Sequence, residues 1–309
     1  MARRLCAISI DLDEVHHYYA IHGLTPARDA AHAVYERGVR RFGDFATGLR
    51  LPLTFFVVGA DVERAENAAL LRAMSERGHE LGNHTFDHHY DLTRRSDADI
   101  RDQIERANDI MGERAGQRPT GFRAPGYTMS DGVYRALVAS GMAYSSSVFP
   151  CPWYYAAKAA IIGAYRLRGK TSSSIVGSPR VLSAPRVPYR AGEPYFREGA
   201  GLIELPIQVT PRLRLPFIGT SLTGLGPLWT RRLAQSLVGQ ELVNLELHGV
   251  DLLDAQDGLD ALAPHQVDLR VPLGTKWDVL SEVVRVFREA GYAFVRLGEA
   301  ARAFSAHAR

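Results

Sequence analysis

Cysteine is scarce: Cys6 and Cys151 are the only two in 309 residues, one inside an expected strand and one in a loop. That excludes a disulfide framework, and both are read as plain thiols. No long apolar run opens the chain. After Arg3 and Arg4 only a handful of apolar residues precede Asp11, too few for a signal-peptide core or a membrane span, so a cytoplasmic protein is expected. Strong charge of one sign is missing as well. A net charge of +3 and the lack of any base-reading motif argue against nucleic acid as a partner. Internal repeats and low-complexity tracts are absent. One absence is local: residues 152–192 contain no acid but hold Lys158, Arg166, Arg168, Lys170, Arg180, Arg186 and Arg190. With the apolar stretch 156–164 at its start, this segment suits an anionic substrate or a peripheral contact with the inner membrane face. The plain alternative is a set of solvated arginines.

What the sequence does contain is a globular composition, 46% apolar and 23% charged. Short β-rich runs at 5–10, 53–58, 80–83, 121–123, 143–148, 202–208, 242–247 and 293–297 alternate with helical patterns at 28–45, 63–77, 96–116, 131–139, 227–237 and 276–290. Such alternation predicts repeated β–α units and a parallel sheet. Closing about seven units gives an α/β fold, a distorted (β/α)7-type barrel, with its chemistry at the C-terminal strand ends. Residues 1–309 are read as one domain, broken by a basic irregular insertion at about 153–201. Ser96 is placed to cap the amides of Ala98 and Asp99 at the start of the 96–116 helix.

Four segments at strand ends carry candidate chemistry. In Ser9-Ile10-Asp11-Leu12-Asp13, side chains alternate, so Asp11 and Asp13 face the barrel mouth together and can divide the labour of cation ligand and general base. Alone, the pair reads more readily as a polar loop or a helix cap. His84 and His88 are four apart, so a helical turn would put both imidazoles on one metal, with His89 left at the rim. In Gly121-Phe122-Arg123-Ala124-Pro125-Gly126-Tyr127, Arg123 can hold a carboxylate by a bidentate contact and the Gly126 amide can donate to an oxyanion. A surface ion pair is the other reading of Arg123. Finally His248, ending a buried strand, can protonate a leaving amine, with Asp251 as a weak candidate for its orienter.

Together these segments resemble the polysaccharide deacetylases, also described as carbohydrate esterase family four or the NodB homology domain, over about residues 5–297. His84-Thr85 with His88 matches the family's His-Ser/Thr-x-x-x-His motif, Arg123-Ala124-Pro125 its Arg-x-Pro, and Leu245-Glu246-Leu247-His248 its apolar strand leading to histidine. The resemblance implies a hydrolase of carbon–nitrogen, non-peptide bonds that removes an N-acetyl or N-formyl group from an amino sugar. It implies Asp13, His84 and His88 as ligands of a divalent metal, zinc first, with cobalt, nickel, manganese or iron as alternatives. Asp11 would be the base, His248 the acid, Arg123 the positioner of Asp11, and Gly126 the oxyanion donor. Tyr127 and Trp153 are the candidate substrate contacts, Trp153 either stacking on a sugar ring or belonging to the core.

Two departures stand out. Leu12 separates the two aspartates, a spacing that resembles cytoplasmic branches including an amino-arabinose deformylase and allantoinase-like cyclic-amide or imide hydrolases. The groove-lining fourth motif is replaced by Ser147–Tyr155 and the basic excursion. The competing functions are therefore a cyclic-imide hydrolase and a non-catalytic sugar- or lipid-binding module.

Overall fold

The structure, a computed structural model, describes residues 4–25, 30–167 and 174–307. Arg168 and Lys170, and the first residues of the helix expected at 28–45, lie outside these. The strands are β1 (Leu5–Leu12), β2 (Thr54–Val57), β3 (Glu80–Asn83), β4 (Gly121–Phe122), β5 (Tyr144–Ser145), β6 (Tyr189–Ala191), β7 (Glu198–Glu204), β8 (Leu242–His248) and β9 (Ala293–Phe294). Their order is β6-β7-β5-β4-β3-β2-β1-β8, with β9 also on β1. All pairings are parallel except the β6–β7 hairpin. Every residue of β1 is buried, as expected for a parallel strand covered on both faces.

The free edge of β8 meets the extended chain that follows β7. Gln208 N donates to Asn244 O at 3.1 Å, while Asn244 Nδ2 donates to Leu205 O at 2.9 Å and to Pro206 O at 3.1 Å. Pro206 has no N–H to offer, so a regular ladder cannot continue through it and the asparagine side chain completes the closure. The result is a curled sheet closed into the distorted (β/α)7-type barrel. The strand expected at 202–208 is thus divided: β7 starts earlier, because it pairs with β6, and its last residues act as the closing stretch.

Helices Ala65–Glu76, Asp97–Ile110, Asp131–Ala139 and Leu273–Glu289 fall where the apolar periodicity puts them. Ser96 Oγ accepts from Asp99 N at 3.1 Å. Between 28 and 45 the chain is not one regular helix: a π-type stretch, Val34–Val39, precedes Arg40–Leu49. The helix expected from 227 begins at Gly219, because Gly226 adopts φ 74° and lets the chain kink through Gly226-Pro227 and remain helical on both sides. Part of the segment expected to be irregular is helical, Pro152–Leu167. No helix among the described residues is long and apolar enough to cross a membrane.

Candidate active site

Strand register brings the candidate residues to one rim. Asp11 lies opposite His248 across β1–β8 and opposite Phe56 across β1–β2. His84 N donates to Val57 O at 3.0 Å, Arg123 N to Asn83 O at 2.9 Å, and Ser146 N to Phe122 O at 2.9 Å. Each step places the next chemical side chain just past the end of its strand, over the mouth of the barrel.

Asp13, His84 and His88 form a buried triad. Asp13 Oδ1 lies 3.2 Å from His84 Nε2 and 3.2 Å from His88 Nε2. His84 Nδ1 sits 2.8 Å from Arg123 O; a carbonyl can only accept, so Nδ1 carries the proton and Nε2 turns a lone pair toward the triad. Asp13 Oδ1 and both ring nitrogens of His88 are buried without a hydrogen-bond partner. Orphaned buried polar atoms cost free energy, and a carboxylate with two imidazoles is a donor set for a divalent ion, which would satisfy Asp13 Oδ1 and His88 Nε2. Burial works against ionising Asp13, but His88 and His84 beside it prevail and hold its carboxyl well below the usual range.

The histidines do not converge through a helical turn. Thr85 and His88 are both left-handed, at φ 66° and 54°, a region that β-branched and bulky residues avoid. The loop is pinned instead by side chains: Asn83 Oδ1 accepts from Thr85 N at 2.7 Å, Thr85 Oγ1 from His88 N at 3.1 Å, and Gln103 Oε1 from Asp87 N at 2.8 Å. His89 lies at the rim, 3.7 Å from Asp87.

Arg123 and Asp11 are buried together. Arg123 Nη1 donates to Asp11 Oδ1 at 2.7 Å, while Nε and Nη2 go to Ser146 O at 2.7 Å and Ser146 Oγ at 2.8 Å. The expected bidentate grip on a carboxylate is therefore a one-point contact, because the rest of the fork is spent on Ser146. The guanidinium also lies over the Phe56 ring at 4.3 Å. Burial raises the Asp11 carboxyl, against the pull of Arg123 and His84, so this carboxylate has more affinity for a proton than an exposed one.

His248 Nδ1 lies 3.0 Å from Glu246 Oε1, and Nε2 lies 3.5 Å from the Tyr127 hydroxyl. Burial opposes its protonation, but Glu246 overcomes this and raises the imidazole well above its ordinary value. Asp251 is not the orienter of the ring: its Oδ2 accepts from the His248 backbone N–H at 2.8 Å. The chain turns sharply at Gly126 and Tyr127, both at φ 58°. Gly126 O accepts from Lys158 Nζ at 2.9 Å. Tyr127 packs on Phe149 and Tyr154, with ring centroids 5.5 Å away in each case. Trp153 is not core: it is 57% exposed and its indole N–H donates to Leu213 O at 3.0 Å.

Sequence reasoning missed Glu246, Tyr154 and Lys158. Glu246 had a signal, an acid inside a mostly apolar strand that ends at His248 and on the same face as it. Tyr154 and Lys158 are four apart on the Pro152–Leu167 helix, and nothing local says that this helix folds back on the mouth.

Residues 34–145 match the family model for polysaccharide deacetylase. A chitooligosaccharide deacetylase from a Bradyrhizobium species is 35% identical over 112 residues, which are 36% of this chain and 50% of that protein. A peptidoglycan-N-acetylglucosamine deacetylase from Bacillus cereus is 33% identical over 88 residues, 28% of this chain and 39% of that protein. The matched stretch thus spans half or less of the length of these relatives. A crystal structure from Mycobacterium smegmatis, assigned as a polysaccharide deacetylase, superposes with a TM-score of 0.60 at 17% identity, covering 98% of this chain and 91% of that one, a likeness of fold. The matched residues include His84, His88 and Arg123, and the barrel adds Asp11, Asp13 and His248 from outside them to the same rim. Residues 34–145 of this chain are thus similar to the polysaccharide deacetylase family, and the barrel as a whole has the fold of a solved protein assigned to it.

Proposed function

We propose that this protein hydrolyses the N-acyl amide, acetyl or formyl, of an amino sugar carried on a polysaccharide, an oligosaccharide or a lipid, and that it does so with a divalent metal, zinc first. The observation that carries this reading is the convergence of Asp13 Oδ1 with His84 Nε2 and His88 Nε2 beside the Asp11–Arg123 pair.

Asp13, His84 and His88 would hold the ion, which when bound supplies polarisation of the acyl carbonyl and acidification of a water. Asp11 accepts a proton from the attacking water as its oxygen adds to the carbonyl carbon, and Arg123 keeps the carboxylate aimed. The Gly126 N–H, turned by the left-handed backbone, donates to the oxyanion. His248 then gives its proton to the departing amine nitrogen as the carbon–nitrogen bond breaks, Glu246 having kept the imidazole protonated and Tyr127 flanking its Nε2. Carboxylic acid and free amino sugar are the products.

The test is elemental analysis of the purified chain and of a His84→Ala, His88→Ala variant, with release of acetate from an N-acetylated chitooligosaccharide and of formate from an N-formylated amino sugar. About one equivalent of a divalent ion in the parent, none in the variant, and acyl release by the parent alone are expected. No metal in either protein after reloading would overturn the proposal and favour a metal-free cyclic-imide hydrolase or a binding module.

A further inference from the structure

The helix Pro152–Leu167 has its apolar side facing outward. Among its described side chains every exposed one is apolar, in a stripe running from Trp153 through Ala157, Ala160 and Ile161 to Ala164 and Leu167. Trp153 and Ile161 are each 57% exposed and Leu167 is 91% exposed. The inward side carries Ile162, which is buried, together with Tyr154 against Tyr127 and Lys158 on Gly126. A helix on the surface of a water-soluble protein ordinarily presents the reverse pattern, and a contiguous exposed apolar face marks an interaction surface.

We infer that this face docks onto an anionic lipid surface. The charge around it selects the occupant. No acidic residue occurs between 152 and 192, and none between 205 and 217, where Arg212 and Arg214 lie. Arg212 is exposed beside Leu213, itself 65% exposed and tied to the helix by the Trp153 indole bond to its carbonyl. An apolar stripe with a cationic border fits acyl chains below and anionic headgroups around. A second copy of this chain fits poorly, because a two-fold contact through the stripe would bring one basic border against another. Since Tyr154 and Lys158 on the other side of the same helix form the wall of the site, docking would set the barrel mouth close to the lipid surface.

Co-sedimentation of the full chain with phosphatidylglycerol vesicles and with phosphatidylcholine vesicles tests this without any acylated sugar, so its outcome is independent of the hydrolytic proposal. Binding to the anionic vesicles alone is expected, weakening as salt is raised. The Ile161→Glu, Leu167→Glu variant should lose about tenfold or more of that binding, since it places charge where two apolar side chains would enter the acyl region. Its circular dichroism spectrum and urea-unfolding midpoint should match the parent's, which shows that it is folded. Three results would overturn the inference: absence of binding to the anionic vesicles, equal binding to both lipids, or undiminished binding by the variant. A parent that dimerises in solution while the variant stays monomeric would give the face to a second copy instead.

Discussion

Glu246 and His248 alternate along β8, and this spacing sets a buried carboxylate oxygen 3.0 Å from the imidazole Nδ1. Glu246 is the largest influence favouring the imidazolium, so it determines how far into the alkaline range His248 stays charged. Glu246→Gln keeps the shape and removes the charge. The expected result is a loss of about a hundredfold in kcat together with a shift of the alkaline limb of the pH–rate profile to lower pH. An unmoved limb would show that His248 is not the acid.

Arg123 and Asp11 should separate stability from chemistry. Arg123 is fully buried and divides its donors between Asp11 and Ser146, so Arg123→Lys cannot keep both contacts and leaves the Asp11 carboxylate poorly partnered. A cost of about 3–5 kcal/mol is expected in denaturant unfolding. Asp11→Asn leaves an oxygen for Arg123 and spares the metal ligands. It should retain bound metal and lose about a hundredfold or more in turnover.

Much of this site was legible in the sequence because its residues sit at the ends of short buried strands, where alternation and apolar runs are strong signals. Asp11, Asp13, His84, Arg123 and His248 all come to the rim through β1, β3, β4 and β8. The local mechanism was less legible. Spacing alone made His84 and His88 look helical, whereas Thr85 and His88 are held in left-handed geometry by hydrogen bonds from their backbone N–H groups to the side-chain oxygens of Asn83 and Thr85, bonds that depend on the tertiary placement of the loop. The contacts of Tyr154 and Lys158 were not legible, since they follow from how the Pro152–Leu167 helix docks on Gly126 and Tyr127.

Lys158 should matter through its charge. Its ammonium holds the Gly126 carbonyl of the left-handed turn, and burial pulls its pKa down to about 8. Lys158→Met keeps the apolar stem and loses the charge-assisted bond, for which a drop of about tenfold in kcat/KM at neutral pH is expected with metal content unchanged. Because the parent's ammonium itself deprotonates as pH rises through about 8, the gap between the two proteins should narrow above that pH. A gap of constant size would assign Lys158 a packing role only.

At the opposite end of the barrel, His79 links stability to pH. Its Nδ1 accepts from Leu53 N at 3.1 Å, next to the place where Glu80 N donates to Leu53 O at 2.9 Å, so the native β2–β3 junction needs a neutral imidazole with Nδ1 unprotonated. Burial, with Arg77 and Arg296 nearby, lowers the folded pKa to about 4 from 6.5. A depressed folded pKa means that the unfolded chain takes up the proton first as pH falls. The stabilisation is complete above about pH 6.5 and is lost progressively between there and about pH 4, amounting to about 1–2 kcal/mol after allowance for solvent screening. His79→Asn retains an acceptor near Nδ1 and cannot titrate. Urea unfolding from pH 7 to pH 4 should therefore show a shallower decline for the variant than for the parent; parallel declines would mean that His79 titrates alike in both states.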